Sequence, residues 1–254
     1  MTFNPMDLSG RHILVTGASS GIGRQTSILI SKLGAKVTIS GRNQEQLDNT
    51  IALLEGTGHR SAAFDLNNVS RIPTWIREQA AIGGMFHGAV HVAGLRQTIP
   101  LRVLELDSID EMMRVNFSSG VMLARGFRQK GCRAPGEGSL VFLGSIAGLV
   151  GDVGITAYAA SKAALLGLTR SLAVELAAEG IRVNAVAPGI VASEMWQRQK
   201  AGLTPEQVEN IQRKYPIGIG TVEDVANGIA FLLADTSRWI TGTTLVMDGG
   251  FTAS

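Results

Sequence analysis

Residues His12–Gln25 read HILVTGASSGIGRQ. The first part, His12 to Gly17, is a short apolar and β-branched run, the composition of a strand buried on both faces. The second part places glycine at 17, 21 and 23, a G-x-x-x-G-x-G spacing that differs from the commoner G-x-G-x-x-G. A helical pattern runs from about Ile22 to Leu33 and closes at Gly34. Strand, glycine turn and helix start, in that order, suit a phosphate. Glycine lets the backbone approach the anion, and the free N–H groups and positive dipole end of the helix face it. Gly17, Ser19, Ser20, Gly21, Ile22 and Gly23 are therefore candidate contacts to the pyrophosphate of a dinucleotide.

The alternation continues outward. Lys36–Gly41 (KVTISG) is a second strand, a helix follows with Asn43 as N-cap, and a third short strand surrounds Phe64. Ile72–Ala81 is helical, and HGAVHVAG is a strand that ends at Gly94. A long helical region covers Asp107–Arg128, and Ser139–Gly144 is again a strand. The helix that opens at Tyr158 reaches about Ala178, and IRVNAVAPG is a strand stopped by Pro188. Val222–Leu233 is helical, and TTLVMDGG supplies the last strand. This order predicts an α/β fold, a Rossmann-type doubly wound parallel sheet with helices on both faces. Neither an internal repeat nor a linker interrupts it. One domain over residues 1–254 is expected, with 190–220 as a lid over the site.

The chain has 254 residues, 45% apolar, enough for a large core. A net charge of +2 offers no strong field to nucleic acid or anionic lipid. Cys132 is the only cysteine, so no intramolecular disulfide can form, and it reads as a structural or surface thiol of a reducing compartment. MTFNPMDLSGRH lacks the layout of a signal peptide, and no segment approaches the roughly 20 apolar residues of a membrane span. A soluble, cytoplasmic protein is expected, without a metal site.

The end of the second strand bears on the nucleotide. A carboxylate there would hold an adenosine ribose; Gly41 and Arg42 stand there instead. A guanidinium suits a ribose 2′-phosphate, which favours NADP(H). Asp65, with Leu66 beside it, is a candidate for the adenine.

Tyr158 and Lys162 are four residues apart and share a helix face. A free phenol has a pKa near 10, and an ammonium one turn away is expected to lower it, making the tyrosine an acid/base. Lys162 is also placed to hold ribose hydroxyls. Ser145, just past the fifth strand, is a candidate to steady charge on a substrate oxygen.

Taken together, TGASSGIG at Thr16–Gly23, VN at Val115–Asn116, GSIAG at Gly144–Gly148, YAASK at Tyr158–Lys162, APG at Ala187–Gly189 and MDGG at Met247–Gly250 resemble the short-chain dehydrogenase/reductase family over nearly the whole chain. The resemblance implies a catalytic tetrad of Asn116, Ser145, Tyr158 and Lys162, with the Asn bending its helix. It implies nucleotide contacts from Ala93, Gly94, Pro188, Gly189, Val191 and Ser193, seven parallel strands, and a homotetramer joined through the long helices. It is closest to 3-oxoacyl-carrier-protein reductases, hence reduction of a ketone by NADPH. Oxidation of an alcohol or sugar, or binding of NADP(H) without catalysis, are the alternatives. Two departures stand out. HVAG replaces the family's NNAG, with His91 read as a structural stand-in, and Ser193 stands where Thr is usual. Trp196 and Met195 either line the substrate pocket or pack a helix. Leu95, Val150 and Ile155 are further pocket candidates. Arg125–Arg133 (RGFRQKGCR) either docks an acidic carrier or complements its own helix dipole, and Val174 stands where carrier reductases often carry a basic residue.

Overall fold

The computed structural model describes residues 4–136 and 138–253. The strands, in chain order, are β1 (His12–Thr16), β2 (Lys36–Gly41), β3 (Arg60–Ala63), β4 (Gly88–His91), β5 (Gly138–Leu143), β6 (Ile181–Pro188), β7 (Val191–Ala192), β8 (Gly220–Thr221) and β9 (Thr244–Met247). Seven of them form one sheet in the order β3-β2-β1-β4-β5-β6-β9, and every neighbouring pair is parallel. β7 and β8 pair separately. The helices are α1 (Gly21–Lys32), α2 (Gln44–Ile51), α3 (Ile72–Gly83), α4 (Leu106–Met113), α5 (Ser119–Arg128), α6 (Thr156–Leu176), α7 (Glu194–Lys200), α8 (Pro205–Gln212) and α9 (Val222–Leu233).

Period-two strands divide the core into two layers. Leu14 of β1 and Leu140 and Phe142 of β5 join Trp75, Phe86, Phe127 and Leu165 on one face. Ile13 and Val15 of β1 and Val141 of β5 join Ile30, Leu47 and Ile229 on the other. Cys132 lies fully buried in the first layer, as a structural thiol. No helix is long and apolar enough to cross a membrane among the described residues.

The chain runs from β1 out to β3, then returns to place β4 on the other side of β1. The two loops leaving the carboxyl ends of β1 and β4 therefore diverge, and ligands bind in the crevice at such a switch point. Here the loops touch: a Cβ on Gly17 would stand 2.6 Å from the Ala93 nitrogen.

Most expected elements fall within a few residues of their predicted ends. Two differ. β3 stops at Ala63, so Phe64 and Asp65 lie beyond it, although the Phe64 N–H still donates to the Gly41 carbonyl at 2.9 Å. The helix expected through 107–128 is broken by a π-helical turn at Arg114–Ser118. Such a turn inserts a residue into the ladder and is common at functional sites. Its buried centre is Asn116.

Candidate active site

The glycine turn fits an anion because it has room for no side chain. Gly17 and Gly21 have φ of +70° and +52°, a region that L side chains rarely adopt. A Cβ on Gly23 would fall 2.1 Å from the Gly17 carbonyl oxygen. Ser20 is the N-cap of α1, yet its side chain makes no capping bond, which leaves first-turn N–H groups for a ligand. Arg24 secures the turn by donating to the Ser19 carbonyl and to the Thr50 hydroxyl. The residues present thus fit a dinucleotide pyrophosphate. Glu194, at the start of α7, reaches over this turn: its carboxylate is 3.3 Å from where a Cβ on Gly21 would be.

Arg42 is exposed just past β2, and Ser19 lies against Gly41. No carboxylate ends β2. Asp65 accepts from the Asn67 N–H at 3.0 Å. Leu66 is buried in the core, so only its backbone is left for a nucleotide.

The four expected catalytic side chains converge at the carboxyl end of β4 and β5. Asn116, held in the π turn, accepts from the Leu95 N–H at 2.6 Å and donates to the Leu95 carbonyl and to the Ser161 hydroxyl, both at 2.9 Å. Ser161 in turn donates to the Tyr158 carbonyl at 2.7 Å. Lys162 is buried and donates to the Leu143 carbonyl at 2.8 Å. A Cβ on Gly94 would stand 3.1 Å from Asn116 Oδ1 and 3.3 Å from Lys162 Nζ, so only glycine fits comfortably between them. Ser145 caps the turn after β5, accepting from the Ala147 N–H at 3.1 Å, and its hydroxyl lies close enough to the Tyr158 phenol to favour the phenolate.

Electrostatics correct one expectation. The Lys162 ammonium does not draw the Tyr158 pKa below its ordinary value. Burial raises the phenol above it, opposed by the Ser145 hydrogen bond and the Arg96 charge. Burial also acts on the lysine, whose pKa is pushed down to about 8. Desolvation acts on both groups of a buried pair, a burden that spacing alone does not reveal.

Arg96 is the residue that sequence reasoning missed. Its guanidinium lies over the Tyr158 ring, 5.7 Å from the centroid. The signal was a basic residue two places after Gly94, at the carboxyl end of the β4 segment, where this fold binds ligands.

His91 is fully buried and lies within hydrogen-bond distance of the Thr16 and Ser119 hydroxyls, both at 3.1 Å. Burial, with the nearby Lys162 charge, depresses its pKa to about 3. It stays neutral and braces β1 against the Asn116 turn, in keeping with a structural stand-in.

Past β6, Gly189 makes room for the Tyr215 ring, and the Tyr215 hydroxyl accepts from the Ile190 N–H at 3.0 Å. Pro188 and Val191 are buried. The Ser193 hydroxyl caps α7 by accepting from the Trp196 N–H. Trp196 is 6% exposed and Met195 39%, so packing accounts for the indole and Met195 is the more open side chain. Ile155 is buried, Leu95 half-buried and Val150 open.

A switch-point glycine turn beside a Ser–Tyr–Lys cluster defines a dinucleotide-binding oxidoreductase of the doubly wound class. The sequence model of a family described as enoyl-(acyl carrier protein) reductase matches residues 17–252. The chain belongs to the short-chain dehydrogenase/reductase family. It is 36% identical to a 3-oxoacyl-(acyl-carrier-protein) reductase of Rickettsia prowazekii over 96% of this chain and 98% of that one. It is 36% identical to a human (3R)-3-hydroxyacyl-CoA dehydrogenase over 93% and 94% of the two chains. A crystal structure from Beutenbergia cavernae, assigned as an NAD(P)-dependent gluconate 5-dehydrogenase with NADP bound, superposes with a TM-score of 0.89 at 33% identity, covering 99% of this chain and 100% of that one.

Proposed function

We propose that the protein is an NADP(H)-dependent reductase of ketones, with Tyr158 as the proton donor. One observation carries the reading: the Tyr158 phenol, next to Ser145 and one turn from buried Lys162, stands beside the glycine turn at the sheet's switch point. Gly17, Ser19, Ser20, Gly21, Ile22 and Gly23 hold the pyrophosphate. Arg42 holds the 2′-phosphate, supported by the absent carboxylate and by the NADP in the Beutenbergia relative. Asp65, backbone groups of Leu66, Ala93 and Gly94, and Pro188, Gly189, Val191 and Ser193 complete the nucleotide site.

The bound cofactor supplies the hydride, which the carbonyl carbon accepts. Burial keeps the Tyr158 phenol protonated at neutral pH, ready to give its proton to the carbonyl oxygen. Ser145 donates to that oxygen as charge builds on it. Lys162 steadies the phenolate left behind and holds ribose hydroxyls. Asn116 fixes the Leu95 turn, and, close to Lys162 across Gly94, it links that lysine to the route by which a solvent proton returns. The carbonyl ends as a secondary alcohol, having gained one hydride and one proton.

Residues 190–220, with α7 and α8, close over the site as a lid within a single domain, and Met195 and Trp196 bound its substrate side. The protein works in the cytoplasm as a homotetramer; exposed Leu101, Val103 and Leu106 around α4 are apolar surface for such contacts. The relatives name both 3-oxoacyl and sugar-acid chemistry. Docking of an acidic carrier draws little support, since Arg128 pairs with Glu179 at 2.6 Å and Arg133 donates to the Gly136 carbonyl.

The test is NADPH absorbance against β-ketoacyl thioesters, steroids, quinones, keto-sugars and short oxo acids. At least one class should be reduced, and Tyr158→Phe should lower its kcat by about 1000-fold or more while NADPH still binds. Full turnover by that variant would remove Tyr158 from the chemistry.

A further inference from the structure

Arg96 lies over the ring of the proposed proton donor and is not fully satisfied by the protein. Its backbone is fixed, because both peptide groups of the preceding Leu95 bond to Asn116. Its guanidinium lies 5.7 Å from the Tyr158 ring centroid, and its charge bears on the phenols of both Tyr158 and Tyr215. One end, Nη1, donates to the Gln199 amide oxygen of α7. The Nε is buried and has no hydrogen-bond partner. Among the described residues Nη2 makes no hydrogen bond, and no carboxylate comes within ion-pair distance of the guanidinium.

The Nε–Nη2 edge is the pair of parallel donors that accepts a carboxylate in two bonds. A half-buried guanidinium without a counter-charge is unfavourable, and an unmet buried donor adds to that. An arriving anion relieves both. Gln199 engages the Nη1 end, so no protein acceptor takes the Nε–Nη2 edge, and a small shift of the side chain brings both donors to a ligand.

We propose that Arg96 is a substrate-anchoring residue, and that the substrate is a short oxo acid whose carboxylate lies a few carbons from the reacting carbonyl. The inference rests on the reductase reading of the Tyr158 site and narrows it. It disfavours a 3-oxoacyl thioester, which brings no carboxylate near the ketone.

The experiment compares acids with their neutral esters: pyruvate against methyl pyruvate, and 3-oxobutanoate against methyl 3-oxobutanoate. Steady-state kinetics with NADPH use the wild type, Arg96→Gln, Arg96→Lys and, as a control on a nearby exposed arginine, Arg102→Gln. For at least one pair, wild type and Arg102→Gln should favour the acid by about 100-fold in kcat/KM, the effect of two charge-assisted bonds. Arg96→Gln should bring that ratio to near one, and Arg96→Lys should restore part of it. Calorimetric titration of the NADPH-loaded Tyr158→Phe protein gives a readout without turnover, with the acids binding and the esters binding far more weakly. Equal use of acid and ester, or a ratio unmoved by Arg96→Gln, overturns the anchor and leaves the reductase reading standing. Acid-selective, Arg96-dependent binding with no turnover of these acids or of any carbonyl in the wider screen keeps the anchor and overturns the reductase reading. Neither turnover nor binding of any of the four probes rejects the short-oxo-acid assignment, with the wider carbonyl screen deciding the reductase reading separately.

Discussion

Lys162 and Tyr158 lie one helical turn apart, with the ammonium nitrogen 5.8 Å from the phenol ring centroid, yet the hydrogen bond that Lys162 makes goes to the Leu143 carbonyl of β5. The ammonium is thereby tied to the sheet and held at a fixed offset from the phenol. It is also stripped of water, which is why its pKa falls from 10.5 to about 8.

That depression fixes a pH effect on stability. Between about pH 8 and 10.5 the unfolded lysine keeps a proton that the folded one has lost. Folding is therefore penalised most below pH 8, and stability rises with pH across this window. Lys162→Met should be inactive and should remove that rise, worth at most about 3 kcal/mol. Chemical denaturation of both proteins without cofactor, at pH 8 and pH 10, measures the difference. Parallel changes in the two would contradict the assignment.

The opposite end of the scale belongs to histidine. His91 is depressed to about 3 and His12 to about 4, each chiefly by burial. Both are neutral in the fold, so their contribution is complete above the ordinary value of 6.5 and is lost as pH falls from there toward the depressed values. At pH 5 each should destabilise the protein by about 2 kcal/mol relative to pH 7. His91→Asn should shallow the acid limb of a plot of Tm against pH by about half. An unchanged limb would show that His91 is not a buried neutral imidazole.

Gly23 is the tightest point of the nucleotide turn. Its missing Cβ would overlap a backbone carbonyl of the same turn, which has no flexible tip to move aside. Gly23→Ala should weaken NADPH binding by tenfold or more, roughly 1.4 kcal/mol or greater, and lower Tm by several degrees. Fluorescence titration with NADPH and a melting curve read the two effects. Wild-type affinity would mean that the turn does not carry the pyrophosphate.

On the proposed reading, Arg42 is the residue that selects between the two nicotinamide cofactors. Arg42→Asp should raise the KM for NADPH by about 100-fold and improve use of NADH, because a carboxylate repels the 2′-phosphate and accepts from a free ribose hydroxyl. The measured quantity is the ratio of kcat/KM values for the two cofactors. A ratio unmoved by the substitution would place the 2′-phosphate elsewhere.

The residues that converge were legible because their spacing is local. Alternating apolar runs set the strands, the glycine spacing marked the turn after β1, and the interval of four placed Tyr158 and Lys162 on one face. The π turn at Asn116 was not legible as a shape from spacing. It depends on a side chain reaching across to Leu95, whose position is set by a different strand. Arg96 escaped notice for the same reason, since nothing in its neighbourhood along the chain says that Tyr158 lies beneath it.

Sequence by itself determined the order of elements, the doubly wound sheet and the shared helix face of Tyr158 and Lys162, because these follow from short-range periodicity and steric limits on the backbone. Only the tertiary structure decided the direction of the Tyr158 pKa, the neutrality of His91 and the unpaired edge of Arg96. Each depends on how much water and which charges surround a side chain, and that is set by segments distant in the chain.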